Sequence, residues 1–282
     1  MQAKKNWYKG QPGCKEFRIG RTYENFQKFI QENPDIPVVE LDTVEGGRDN
    51  STQAFLTIFF RNCSLMLIFV LQEKSQDQVI KVFDYLTEKL GIKVFQELFP
   101  VLLTDNGVEF QFPERLECDK NGEIRTKIFY CNPNSSWQKG RIEKNHEYIR
   151  YVIPKSQSLD HYKQRDACVL MNHINSEARD SLNGCTPFRL SKMLLNNRLH
   201  RLLCLQEIPG DQVHLKPSLL KNRIRIKTES TAEFNPTKIW HVEFSLAHLP
   251  RCLFAMLAHM KTGPCKVIVT LFLSLVNRNE AN

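Results

Sequence analysis

The sequence lacks a long apolar run. Its longest, Val267 to Val276, is too short to cross a bilayer, and the polar N-terminus has no stretch of the signal-peptide kind. A membrane or secreted protein is therefore not expected. The sequence also lacks any Cys-x-x-Cys pair. Its nine cysteines are scattered, at positions 14, 63, 118, 131, 168, 185, 204, 252 and 265. An odd, unpatterned set argues against a zinc site or a disulfide framework and for reduced thiols in a cytoplasmic protein. Cys63, Cys131 and Cys168 lie in apolar runs, where cysteine acts as a small hydrophobe. Acid is the scarcer charge: 31 Asp and Glu against 39 Lys and Arg leave a formal net charge of +8. That balance suits a polyanionic partner but is weak alone, since many basic proteins bind no nucleic acid.

What is present fits a folded chain. The apolar fraction is 41%, and 282 residues can bury one core, with or without a smaller appendage. Residues 1–35 read as a basic leader and a short helix over Thr22 to Gln31, closed by Asn33-Pro34-Asp35. Strands are expected over Val38 to Val44, Ala54 to Phe60 and Leu65 to Leu71, the last two joined as a hairpin. Asp77 to Leu90 has helical spacing, with Gly91 as its stop. Further strands are expected over Phe99 to Leu103 and Thr126 to Cys131, separated by a polar excursion around Glu117–Glu123 that suits a hairpin. Helices follow over Trp137 to Ile153 and Leu159 to Glu177, and from Thr186-Pro187. This order describes an α/β fold, a mixed sheet with helices on both faces.

Three acids stand where chemistry is a natural explanation. Asp42 lies inside an apolar strand, where aspartate is disfavoured; an edge position facing solvent would also explain it. Asp105 ends a buried-type strand, although Asp-Asn-Gly is also an ordinary turn. Glu143 lies at the margin of the apolar stripe Ile142, Ile149, Val152 and Ile153, where a surface salt bridge is the alternative. Taken together, three carboxylates suit magnesium, which takes hard oxygen ligands. Two such ions about 3.5–4 Å apart can clamp the attacking and leaving oxygens of a phosphoryl displacement.

The segments VVELDTVE (38–45), LLTDNGVEF (102–110) and FYCNPNSSWQKGRIEKNH (129–146) resemble the three motif blocks of a DDE transposase. The nearest resemblance is to bacterial transposases of the insertion-sequence-thirty family, within the retroviral-integrase superfamily. HINSEARDSLNGCTPF (173–188) is similar to the family's post-catalytic region. The resemblance spans roughly residues 17–221. It implies an RNase H-like fold with a mixed five-stranded sheet. It implies that Asp42, Asp105 and Glu143 are catalytic and bind two Mg2+ or Mn2+ ions. Nicking at transposon ends and joining to target DNA would be the activity, with DNA as partner and substrate, a homo-oligomer on DNA, and neither a membrane nor a small-molecule substrate involved. A bacterial cytoplasmic protein, on the nucleoid when DNA-bound, is expected. The 37 residues between Asp105 and Glu143 exceed the family's usual spacing.

Around the triad, Lys139, Arg141, Lys144 and Arg150 are candidates for phosphate contact, with a solvated charged helix as the alternative. Asn106 and His146 could support the centre, as a turn asparagine or a packed histidine otherwise. Glu109 and Glu147 are acids that could lie behind it, and Trp137 suits a core or capping aromatic. The expected division is a core over 36–195, an extension over 196–221 and an unassigned tail over 222–282 of the kind a frameshift leaves. The family's N-terminal helix-turn-helix region is not visible. The alternative to an active transposase core is therefore a truncated remnant that binds DNA or the full-length transposase without catalysis.

Overall fold

A computed structural model describes residues 16–47 and 51–220. The tail assigned to 222–282 and most of the basic leader lie outside the described residues. The first helix, α1 (Tyr23–Glu32), starts at Thr22, whose hydroxyl accepts from the Asn25 N–H while the Asn25 side chain accepts from Thr22 N. This reciprocal pairing satisfies two backbone donors that a helix start would otherwise leave bare.

Five strands follow: β1 (Val38–Glu45), β2 (Ala54–Phe60), β3 (Leu65–Leu71), β4 (Val101–Thr104) and β5 (Lys127–Tyr130). They form one sheet in the order β3-β2-β1-β4-β5. β1 pairs antiparallel with β2 and β2 with β3, whereas β1 runs parallel to β4 and β4 to β5. This is the mixed five-stranded sheet of an RNase H-like core. Every residue of β2 and β3 is buried, which explains sequences that are apolar throughout except for Thr57.

Helices cover both faces. Even-numbered residues of β1 share a face with Val101, Leu103 and Phe129, and α1 packs Phe26, Phe29 and Ile30 there. On the other face, α2 (Gln76–Leu90) and α3 (Ile92–Leu98) bring Phe83 and Phe95 against Phe99, which also meets Phe60. The later helices are α4 (Pro113–Glu117), α5 (Gly140–Val152), α6 (Gln164–Ser176), α7 (Pro187–Leu194) and α8 (Asn197–Leu202). No helix among the described residues is long and apolar enough to cross a membrane.

Several boundaries differ from the sequence expectation. Gly91, at φ +80°, ends α2 but also starts α3, which was not expected. Phe99 therefore caps that helix, and β4 begins only after Pro100, which has no N–H to give a ladder. The excursion after Asp105 holds the short α4 before a single antiparallel bridge from Cys118 to Ile124, not a full hairpin. The helix expected from Trp137 is split into a 3-10 turn, Ser136–Lys139, and α5. Trp137 is neither core nor cap. It is 74% exposed, because the turn gives its inner side to Gln138 and Lys139.

The outer edge of β3 is closed by side chains of α6. Asn175 accepts from Met66 N at 2.9 Å and donates to Met66 O at 2.7 Å. Gln164 likewise takes Val70 N and gives to Ile68 O. These side chains take four backbone groups that a sixth strand would use, which blunts the edge as a ladder for another chain. Asn175→Ala leaves a buried N–H and C=O unpaired. Urea unfolding should show a loss of about 2–4 kcal/mol.

Candidate active site

Two of the three sequence-predicted carboxylates meet because of strand register. Val38 pairs with Val101 and Glu40 with Leu103. Continued two residues along, that register brings Asp42 level with Asp105 at the carboxyl ends of two parallel strands, on the same face. Such ends are where sheets of this kind hold ligands. Asp42 lies in β1, its Oδ1 taking the Thr43 N–H at 2.8 Å. Asp105 follows β4, its Oδ1 taking Gly107 N at 3.0 Å.

The third carboxylate comes from α5, and a residue unremarked in the sequence positions it. Glu40 is fully buried. Its Oε2 accepts the Ile142 N–H at 2.9 Å, one of the unpaired donors of the α5 N-terminus, and its Oε1 meets Arg61 Nε at 2.5 Å. A carboxylate at that end is favoured by both the free N–H groups and the helix dipole. Glu40 thus ties α5 to β1, and Glu143, one residue past Ile142, is held on the face that carries Asp42. Burial raises the Glu143 carboxyl above its ordinary value. Lys139 opposes the shift, while the charges of Asp42, Glu40 and Asp105 reinforce it.

Lys139 stands between the two aspartates. Only 3% exposed, it places Nζ 2.9 Å from Asp42 Oδ2 and 3.1 Å from Asp105 Oδ2. Burial alone would lower its pKa, but the two carboxylates outweigh that and raise it. The ammonium acts as a stand-in for a bound cation, with two hard oxygens aimed at one point, the donor chemistry a magnesium or manganese ion takes. Among the described residues, no three Asp, Glu, His or Cys side chains stand close enough to hold one ion as they are. The two aspartates offer the oxygen donors such an ion takes, while Glu143 is related to them in the structure by charge alone.

His146, one turn after Glu143, lies beside Asp42. Its Nδ1 is 4.0 Å from Asp42 Oδ2, and its Nε2 is 2.8 Å from Thr57 Oγ1, which also donates to Asp42 O at 3.0 Å. Burial lowers its pKa to about 4, so the ring is neutral near pH 7. On the opposite face of β1, Thr43 Oγ1 donates to Glu109 Oε1 at 2.7 Å, linking the strand that carries Asp42 to the loop that carries Asp105. Asn106 is turned away from Asp105 and donates to Cys131 O at 2.9 Å, fastening that loop to the end of β5.

The basic candidates separate. Arg141 and Lys144 are exposed and border a cavity of about 520 Å3 with Arg61, Tyr148 and Arg179. Arg150 is drawn in, donating to Glu45 O at 2.8 Å. Lys139 faces the carboxylates, as described. Glu147 is exposed. Sequence reasoning missed Glu40, Arg61, Thr43 and Thr57. Two signals were available: Glu40 and Asp42 alternate on one face of the same strand, and Thr57 is the lone hydroxyl in AFLTIFF.

No protein-family model matches the chain. It is 28% identical over 184 residues to the transposase for insertion sequence element IS4351 of Bacteroides fragilis, covering 63% of this chain and 53% of that protein. It is 26% identical over 179 residues to transposase InsI for insertion sequence element IS30C of Escherichia coli K12, covering 64% and 44% respectively. The chain thus spans about half the length of these relatives. Among solved structures, the catalytic core domain of BIV integrase aligns at a TM-score of 0.38 and 17% identity, over 55% of this chain and 93% of that one.

Two outcomes follow for the metal-free protein. Glu40→Leu removes the anchor of α5 and leaves Arg61 without its carboxylate. Urea denaturation should report a loss of about 3 kcal/mol, as when one partner of a buried pair is deleted. Lys139→Met leaves Asp42 and Asp105 facing each other with no cation between. Calorimetry should show a Tm lowered by about 3–6 °C, the size expected for 1–2 kcal/mol in a chain of this length.

Proposed function

We propose that this chain, related in sequence to the transposases of IS30-like insertion sequences, carries the centre that cuts DNA at element ends and joins the freed 3′ ends to target DNA. The observation that carries this reading is the pair Asp42 and Asp105, level on adjacent parallel strands and both facing one cationic atom. Asp42, Asp105 and Glu143 would hold Mg2+ or Mn2+, as a pair of ions. When bound, such a pair supplies Lewis-acid stabilisation of the attacking and leaving oxygens of an in-line displacement.

The chain's own residues account for the rest by positioning. Glu40 holds α5, and so Glu143, against β1. Thr43 and Gly107 each give a backbone N–H to the Oδ1 of one aspartate, which turns its Oδ2 toward Lys139 and the proposed reaction centre. Lys139, whose Nζ lies beside both aspartates, would supply a positive charge next to the scissile phosphate. Arg141 and Lys144 contact flanking phosphates, fixing the strand without reading its sequence. Cutting and joining at two ends calls for two such centres, so the working form is a homo-oligomer on DNA.

The test is strand transfer of pre-cut ends into plasmid, with Mn2+ or Mg2+, comparing the chain with Asp105→Asn. Joining should require the ion and fall roughly a thousandfold or more in the variant, the several kcal/mol that such an ion contributes. Retained DNA binding without joining by either protein would support the non-catalytic alternative.

A further inference from the structure

The backbone ladder between β1 and β4 ends before it reaches the aspartates. Its last pair is Glu40 with Leu103, two residues short of Asp42 and Asp105. One side-chain bond extends it, from Thr104 Oγ1 to Leu41 O at 3.3 Å. Past that point a buried carboxylate, Glu109, joins the two strand ends on the face of β1 opposite Asp42. Its Oε1 accepts from Thr43 Oγ1 at 2.7 Å, with Lys74 Nζ at 3.5 Å. Its Oε2 has no hydrogen-bond partner among the described residues. That oxygen lies against Gly107 instead: a Cβ built there would stand 2.6 Å from Oε2 and 2.8 Å from the carboxyl carbon. With φ at −56°, the Gly107 backbone would accept any residue, so it is the close carboxylate that demands glycine.

We propose that Glu109 is a positioning residue for the reaction: lodged between the Thr43 hydroxyl and the Gly107 backbone, it sets the spacing of Asp42 and Asp105. The inference rests on the function proposed above and adds a residue to it. The two residues that Glu109 touches are the two that orient the aspartates. Thr43 N–H donates to Asp42 Oδ1 at 2.8 Å, and Gly107 N–H donates to Asp105 Oδ1 at 3.0 Å. Lys139 joins the two Oδ2 atoms on one face, and Glu109 holds the two backbones on the other. A buried carboxylate with one bare oxygen is costly as packing alone. A spacer between two strand ends that no ladder joins accounts for it.

The experiment combines strand transfer, as above, with amide hydrogen exchange of the metal-free full chain carrying isotopically labelled glycine. The Gly107 signal is the one lost in Gly107→Ala. In Glu109→Ala the joining rate at saturating DNA should fall roughly 10–100-fold, the cost of a misplacement near 1 Å. The Gly107 amide should exchange roughly tenfold faster, while that of Gly91, held by Thr87 O at 2.9 Å, stays as in wild type. Glu109→Gln keeps an oxygen for the Thr43 hydroxyl and should restore both readouts to within about threefold. Gly107→Ala should slow joining alone but add nothing in Glu109→Ala, where the carboxylate it would strike is gone. Thr43→Val removes the hydroxyl and should move both readouts in the same direction, which keeps the test open if Glu109→Ala does not fold. Where wild type joins, a folded Glu109→Ala with either readout unchanged would overturn the proposal. Equal acceleration at Gly107 and Gly91 would make Glu109 a stabilising residue only and overturn it as well. If wild type joins no DNA with either ion, the proposed function fails, and the comparison of Gly107 with Gly91 decides the Glu109 assignment by itself.

Discussion

A buried carboxylate must be compensated, and the way Glu40 is compensated determines how the centre is assembled. With no exposure to water, Glu40 draws its partners from the protein: the Arg61 guanidinium and the Ile142 N–H at the start of α5. Leaving either oxygen bare in the interior costs several kcal/mol, so the two contacts hold together as a unit. Because the N–H belongs to a helix terminus, satisfying Glu40 also fixes the height and direction of α5 over the sheet. Glu143 and His146 then point toward Asp42, two residues along the same strand as Glu40. A helix that merely packed its apolar stripe on the sheet could slide by part of a turn, and the N-terminal contact removes that freedom.

The same elements concentrate negative charge, and Lys139 offsets it. Two ion pairs near 3 Å are each worth about 5–6 kcal/mol at an effective dielectric near 20. Asp105 is 43% exposed on its side chain, so water screens its share. Against this stands the cost of burying the ammonium, several kcal/mol. The two quantities are comparable, so Lys139 holds the aspartates in place without being bound irreversibly there. The raised carboxyl of Glu143 belongs to the same balance, since its charge is disfavoured while a single positive charge serves three acids.

Much of this was legible in the sequence, for local reasons. The hairpin of β2 and β3 reads directly from two apolar runs around Arg61-Asn62-Cys63-Ser64. Asp42 is visible as an acid within a strand, and Asp105 as one at a strand end. Residues whose role depends on chain separation were not legible. Glu40 works through Arg61 and Ile142, 21 and 102 residues away, and Asn175 closes an edge 109 residues distant. Lys139 reads as a surface helix cation because its motif is basic throughout. Its burial follows from the 3-10 turn, which rotates Trp137 outward and Lys139 inward. The missed α3 has a different cause: Gly91 ends one helix and begins another, and a strand-like run beyond it conceals the second start.

Charge is distributed across α5 in a way that bears on how a nucleic acid would approach under the proposed function. The inner side of α5 meets the carboxylates through Glu143 and His146, while Arg141 and Lys144 are exposed beside the cavity that Arg61 and Arg179 also line. Arg179 is not available as a phosphate ligand, since it is buried, bonded to Asn145 and stacked on Tyr148 at 4.2 Å. Arg61 is likewise committed to Glu40. Of the basic side chains lining this cavity, the exposed pair is the one placed to release counterions to a phosphate backbone. A strand lying along the outer side of α5 would meet Arg141 and Lys144 first, and the 3-10 turn before α5 leads from there to Lys139. The exposed Trp137 on that turn offers a flat apolar surface, of the kind on which an unpaired base can stack. The path from the exposed cations to the carboxylates therefore runs over the one segment where the sequence expectation of a continuous helix failed.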